Sequence, residues 1–398
     1  MALLFEDDFH DEFGTWPLAY APYGGADFGE VAAVGRAVGN GDDGAFYDAF
    51  VAAGDRMVAE AEQTRAKGHP ASARELLLRA SAFYATSFHP IYGKPVDPRL
   101  LAAFRKQVAA FDRGLGLGDA PVKPMRIPFE GASMAAYLVP AVGREQEVRP
   151  LLILTNGYDA TITDMYFGSA VAASRRGYHV LLFDGPGQGE MLYVHGVPIR
   201  GDWETVIAKV VDFAVALPNV DPKKIALSGW SLGGYLAPRG ASGEPRLAAL
   251  IADPGLWGPA DSIRDFLAKA VPGVAITPSV LQELQRHIEK NRMQRWRIIQ
   301  RGFWVHGVAD LEGYMHALEP FTLAGRAELI RCPTLLTCAE NDPLGATAQA
   351  FFDKLRCPKK LIRFAAAEGA GGHCEMHNRS LFNRRTLDWL DETLGTSN

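Results

Sequence analysis

Ile225-Ala-Leu-Ser-Gly-Trp-Ser-Leu-Gly-Gly234 decides the fold. An apolar, strand-like run enters Gly229-Trp230-Ser231-Leu232-Gly233, which fits the G-x-S-x-G pattern of a serine on a sharp strand-to-helix turn. A serine hydroxyl is a poor nucleophile and needs a base and oxyanion donors within reach. The turn presents it to both, provided the flanking residues carry no side chains. Gly229 and Gly233 stand at those positions, and Gly234 gives the next helix room to pack. Five residues can match by chance, so the surrounding chain must decide.

Working outward, four short apolar runs end in turn residues: Leu151–Thr155, His179–Phe183, Lys224–Ser228 and Ala248–Ala252. Helical stretches at about 163–176, 202–217 and 232–241 separate them. Runs this uniformly apolar fit strands buried on both faces, and the alternation predicts a mostly parallel, doubly wound α/β sheet. Thr334–Cys338 and Lys360–Phe364 add two later strands, and a strand pair folds around Gly131 ahead of them. Pro238 is expected to kink or stop the helix after the serine.

The sheet segments divide the chain. Residues 1–120 read as a helical N-terminal region, 121–256 and 327–398 as the α/β core, and 257–326 as an inserted helical cap. The first 40 residues carry Phe5, Phe9, Phe13, Trp16, Tyr20, Tyr23 and Phe28, rings that need a surface to pack on. They predict an arm over the body. The cap stretch is too long for a structureless loop and leaves from the strand ends where ligands bind in open α/β sheets. A buttress shielding a sheet edge is the bland alternative.

An acid and a histidine follow the serine in the order this constellation requires. Asp342 lies in the loop after Thr334–Cys338, and His373 follows a glycine-rich turn after Lys360–Phe364. His373 would take the Ser231 proton and return it to the leaving group, with Asp342 fixing the imidazole tautomer. Glu340 is the weaker rival acid, closer to the strand end. The backbone N–H of Leu232 and that of Tyr158, in the loop after Leu151–Thr155, are the expected oxyanion donors. Asp159, Trp230, Trp257, Trp304 and His306 are candidates for the substrate pocket; Asp164 reads equally as a helix cap. Cys374 reads as a small buried residue.

Other chemistries fit poorly. His373 and His377 have a metal-like spacing but no third ligand, so no metal or other cofactor is expected. Asp184-Gly-Pro-Gly-Gln-Gly-Glu190 lacks the Gly-Lys-Ser/Thr ending of a phosphate loop and reads as a rim turn. A net charge of -5 without a Lys/Arg run argues against nucleic acid. The acidic Glu6-Asp7-Asp8 start lacks signal-peptide character, and no apolar run approaches the roughly 18 residues of a membrane span. Four cysteines without a C-x-x-C pair read as reduced thiols of a cytoplasmic protein.

Over about residues 121 to 398 the chain resembles the α/β-hydrolase superfamily, on the Gly229–Gly234 elbow, the Asp184–Glu190 turn, Asp342 and His373. It is most similar to the capped branch with 2,6-dihydroxypseudooxynicotine hydrolase, fungal polyketide-shortening hydrolases and FrsA-type proteins. The helical N-terminal region and Gly372-His-Cys-Glu-Met-His-Asn378 carry that finer likeness. The resemblance implies hydrolysis of a carbon–carbon bond in an aromatic or polyketide-type ketone, a lid shared by N-terminal and inserted helices, and a homodimer. The same residues suit a carboxylesterase or acyltransferase, so the expected partner is a small molecule with a ketone or ester carbonyl. A non-catalytic binding protein and a peptidase are remoter readings.

Overall fold

The computed structural model describes residues 3–261 and 277–396. Eight strands form one sheet in the order β1-β2-β4-β3-β5-β6-β7-β8. They are β1 (Pro124–Phe129), β2 (Ala132–Val139), β3 (Arg149–Thr155), β4 (His179–Phe183), β5 (Val220–Trp230), β6 (Ala249–Asp253), β7 (Thr334–Ala339) and β8 (Lys359–Phe364). β1 and β2 are an antiparallel hairpin, and β2 lies antiparallel to β4. Every pairing from β4 through β8 is parallel. The hairpin turns through Glu130 and Gly131, both with positive φ, as a tight two-residue connection requires.

Period-two alternation sends neighbouring residues of the central strands into two separate cores. Leu151, Ile153, Ile225, Leu227 and Leu250 bury one face beneath the Trp203–Val215 and Gly233–Gly243 helices. Leu152, Leu154, Ala226 and Ile251 bury the other with Phe167, Ala173, Leu387 and Leu390. Each fully buried Leu or Ile contributes about 2 kcal/mol, so these central strands anchor the site's geometry. The Gly233–Gly243 helix runs through Pro238 instead of stopping there. Burial of Tyr235, Leu236, Ala237 and Ala241 holds it together, overriding the local breaker.

Ahead of the sheet, Asp43–Ala66, Pro70–Ser87 and Pro98–Gly116 are long helices. Pro70 and Pro98 occupy first-turn positions where no N–H is needed. The first 40 residues form short helices, among them Asp8–Gly14 and Phe28–Val38. Their rings do find surfaces: Phe13 lies 4.6 Å from Trp296, and Phe5 packs on Phe46 and Phe50. Phe28 is the exception, exposed at 61%.

Between β6 and β7 the described part of the insertion is helical. Pro278–Lys290 leads through Arg292–Gln294 into a π-wound segment, Arg295–Phe303, then Trp304–His306 and Leu311–Leu318. Leu281, Leu284, Ile288, Phe303, Tyr314 and Leu318 give it a small core of its own. Part of the expected cap, residues 262–276, lies outside the described residues. The insertion meets the N-terminal helices directly: Trp296 Nε1 donates to the His89 carbonyl at 2.7 Å, and Arg292 pairs with Asp7 at 2.8 Å. Among the described residues no helix is long and apolar enough to cross a membrane.

Candidate active site

β5 ends at Trp230, and the next residue, Ser231, has φ 55°, a left-handed conformation that costs a residue with a Cβ. The strain is held from several sides. Ser231 N–H donates to the Asp253 carbonyl at 2.7 Å. A Cβ on Gly229 would lie 2.1 Å from the Gly233 carbonyl oxygen, and one on Gly234 2.1 Å from that of Pro254. Only glycine fits at either position, and a Cβ on Gly233, the other flank of the motif, would lie 2.8 Å from the Thr155 carbonyl oxygen.

The ends of β7 and β8 supply the partners. His373 Nδ1 and Asp342 Oδ2 are 2.8 Å apart, and His373 Nε2 lies 2.9 Å from Ser231 Oγ. With Asp342 accepting from Nδ1–H, Nε2 is left to accept the serine proton, so the carboxylate fixes the tautomer. The Asp342 side chain is 1% exposed and also accepts from Leu344 N–H at 3.0 Å, whereas His373 keeps 40% exposure. Burial alone would lower the His373 pKa. The hydrogen bond and charge of Asp342, with the charges of Asp253 and Asp159, outweigh it and raise the pKa above the ordinary value.

The rivals fall away. Glu340 is exposed and accepts from Ala366 N–H at 2.7 Å, on the far side of the β7 turn. Cys374 is buried, and burial first of all pushes its thiol well above the normal range, so it stays protonated beside the histidine. His377 is exposed.

The loop after β3 touches the elbow. A Cβ on Gly157 would lie 2.8 Å from Leu232 N and 3.0 Å from Ser231 Cβ, so a glycine is needed for this approach. Among the described residues, neither Leu232 N–H nor Tyr158 N–H donates to any acceptor. The Asp184–Glu190 turn holds the loop from behind. Gln188 Nε2 donates to the Asn156 and Gly157 carbonyls at 2.8 and 3.2 Å, and Asn156 Nδ2 donates to Asp184 Oδ1 at 2.8 Å. Burial pushes the Asp184 carboxyl up to about 7. Sequence reading assigned this turn to the rim but missed Gln188 and Asn156, whose partners lie about thirty residues away.

The five pocket candidates separate. Asp159 and His306 meet at the loop: Asp159 Oδ2 pairs with Arg301 at 2.7 Å, and His306 Nε2 lies 2.7 Å from Tyr158 Oη. Trp304 stacks on Tyr193 with ring centres 5.3 Å apart, beside Tyr92, whose hydroxyl donates to the Asp159 carbonyl at 3.1 Å. Trp257 packs edge-on against Phe351. Trp230 is a correction. Its ring turns to the face opposite Ile225 and Leu227, buried against Gly168 and under the Arg379 guanidinium at 4.2 Å, so it packs in the core. Asp164 caps its helix, accepting from Thr161 N–H at 2.8 Å and from the Tyr20 hydroxyl.

A mostly parallel sheet carrying a strained serine after β5, with a carboxylate after β7 and a histidine after β8, defines an α/β hydrolase. The chain belongs to the α/β hydrolase family, whose model matches residues 151–384. It is an enzyme of that family. Hydrolase acrC of Aspergillus aculeatus is 32% identical over 97% of this chain and 96% of its own length. The 20-hydroxy-prefusarin hydrolase FUS2 of Gibberella moniliformis is 30% identical over 99% of this chain and 98% of its own. In architecture the chain is similar to 2,6-dihydroxy-pseudo-oxynicotine hydrolase, with a TM-score of 0.74, 22% identity and 95% of each chain covered.

Proposed function

We propose that the chain is a serine hydrolase that cleaves a carbon–carbon bond in an aromatic or polyketide-type ketone, with Ser231 as nucleophile, His373 as base and Asp342 as orienting acid. The observation that carries this reading is the unbroken line Asp342–His373–Ser231, at 2.8 and 2.9 Å, ending on a serine with φ 55°. His373 Nε2 takes the hydroxyl proton as Ser231 Oγ bonds to the carbonyl carbon. The oxyanion is received by the Leu232 and Tyr158 N–H groups. Collapse of that intermediate breaks the bond from the carbonyl carbon to its α-carbon. The departing carbon leaves as an enolate or electron-rich ring and takes the proton from His373. Water, deprotonated by the same imidazole, then releases the acyl group from Ser231 as a carboxylic acid.

A ketone is favoured over an ester by the resemblance to the capped branch, and the full-length likeness to a 20-hydroxy-prefusarin hydrolase supports hydrolysis. An aromatic cluster of Tyr92, Tyr193, Trp296 and Trp304 packs beside the Tyr158–Asp159 loop. In this reading a flat acyl substrate lies against that cluster, shielded from water. The N-terminal and inserted helices, joined through Trp296 and Arg292, then serve as its lid. A cytoplasmic homodimer completes the reading, with light scattering as the check on assembly. The deciding experiment incubates the enzyme with matched aryl β-diketones, acylphenols and aryl esters and identifies products by mass. Carboxylic acid from the ketones, lost in Ser231→Ala, is expected; ester turnover without ketone cleavage overturns the ketone assignment.

A further inference from the structure

The cap touches the oxyanion loop through two consecutive residues. Tyr158 Oη lies 2.7 Å from His306 Nε2, and Asp159 Oδ2 accepts from Arg301 at 2.7 Å. The Arg301 guanidinium also lies over the Tyr158 ring at 4.7 Å, with Trp296 5.0 Å from it. Arg301 and His306 are five residues apart, and an α-helix would turn them about 140° away from each other. The π-wound segment Arg295–Phe303 changes that phase, and both side chains reach one loop. The contact is incompletely satisfied: Asp159 Oδ1, Arg301 Nε and His306 Nδ1 are buried without a hydrogen-bond partner. A half-satisfied buried network is poor stabilisation, so its persistence asks for another reason.

Resting on the assignment of Ser231 as nucleophile and Tyr158 N–H as oxyanion donor, the geometry points to Arg301 and His306 as positioning residues that clamp the oxyanion loop and make its assembly depend on a seated cap. Backbone donors cannot be moved by changing their own side chain, but they move with the loop that carries them. Gly157 gives that loop no side-chain anchor, and Gln188 and Tyr92 hold only its carbonyls. The clamp fixes the outer edge. Burial, with the Arg301 charge added, drives the His306 pKa down to about 3, so the imidazole stays neutral and the clamp does not titrate near neutral pH. Cap and oxyanion hole are therefore one unit, and a substrate that fails to seat the cap meets a loosened hole.

The test uses the full chain with Tyr158→Phe, His306→Phe, His306→Gln, Arg301→Met and the Tyr158→Phe/His306→Phe double variant. Each is assayed for kcat, KM and inhibition by an aryl trifluoromethyl ketone, whose hemiketal with Ser231 puts an oxyanion in the hole. Tyr158→Phe and His306→Phe should each lower kcat and inhibitor affinity in parallel by about tenfold or more, with KM within about threefold. Arg301→Met should do the same. The double variant should lose no more than either single, the loss should be the same at pH 6 and pH 8, and His306→Gln should recover part of it. Additive losses, or a raised KM with unchanged kcat and inhibitor affinity, would overturn the clamp. If the His306 variants do not fold, Tyr158→Phe decides alone, and unchanged kcat and inhibitor affinity there overturns it too. Fluorophosphonate labelling of the wild type checks the underlying reading separately: failure to label Ser231 strikes the nucleophile, not the clamp.

Discussion

Arg379 and Asp253 form an ion pair 2.8 Å long with both side chains removed from solvent, at 0% and 1% exposure. The same guanidinium donates to the Cys374 carbonyl at 2.6 Å and to Ser169 Oγ at 3.1 Å, between the rings of Trp230 and Phe382. Asp253 in turn accepts the Ser231 N–H on its backbone carbonyl. One buried pair thus ties the turn that holds Ser231 to the segment that holds His373. Arg379→Met leaves the Asp253 carboxylate buried without its cation and should destabilise the fold by about 3–5 kcal/mol. Adding Asp253→Asn should restore part of that, because the uncompensated charge is gone. Chemical denaturation of the singles and the double measures both; an additive double would refute the pairing energetics.

The strain at Ser231 predicts a difference between two inactive variants. Both Ser231→Ala and Ser231→Gly lack the hydroxyl and should lose about 10⁶ in kcat. They differ at φ 55°, where alanine retains the Cβ penalty and glycine does not. Ser231→Gly should therefore be the more stable of the two by about 1 kcal/mol, the left-handed cost less the extra freedom of glycine when unfolded. Equal melting midpoints would mean that the elbow stores no strain.

Much of this site was legible because its chemistry is bound to local order. The elbow glycines, Asp342 and His373 stand at strand ends, and strand ends are where apolar runs stop. Trp230 was misread although its sequence held the correction. Counting from Ile225, which faces the core beneath the Trp203–Val215 and Gly233–Gly243 helices, a residue five further along an alternating strand faces the other way. Arg301, Gln188 and Arg379 were beyond that kind of reading. Arg301 meets Asp159 across 142 residues, and no spacing announces such a partner. The π-wound turn that aims Arg301 and His306 at one loop breaks the helical periodicity that sequence reading relies on.

Activity and stability should respond to pH in opposite senses through His373. As the proposed base it must be neutral, so kcat/KM should fall with unit slope as pH drops through its raised pKa. For stability the sign reverses. A group whose folded pKa lies above its unfolded value, about 6.5 for histidine, stabilises the fold fully below the unfolded pKa and loses that contribution as pH rises through the folded one. Asp342→Asn removes the partner that does most to raise the pKa. Its acid limb should move to lower pH while kcat falls by about 10⁴. Its stability deficit against wild type should be largest at acid pH and shrink as pH rises. A pH-rate profile and a set of melts from pH 5 to 9 check the two signs together.

Gly157→Ala asks how much the proposed oxyanion loop depends on its approach to the elbow. The added Cβ would meet Leu232 N at 2.8 Å and Ser231 Cβ at 3.0 Å, both closer than side-chain carbons tolerate. Neither neighbour is the free end of a flexible chain, since one is backbone and the other sits on the strained turn. The loop must therefore retreat, carrying Tyr158 N–H with it, against the hold of Gln188 on the Asn156 and Gly157 carbonyls. Withdrawal of one donor should cost about 10²–10³ in kcat and leave KM nearly unchanged, because the donor acts on the charge that develops in the transition state. Gln188→Leu frees the loop without crowding it and should lose less, about tenfold by the sensitivity of rates to small misplacements. The order matters more than either figure. A Gln188→Leu loss as large as that of Gly157→Ala would place the oxyanion hole's rigidity in the Asp184–Glu190 turn and not in the glycine contact.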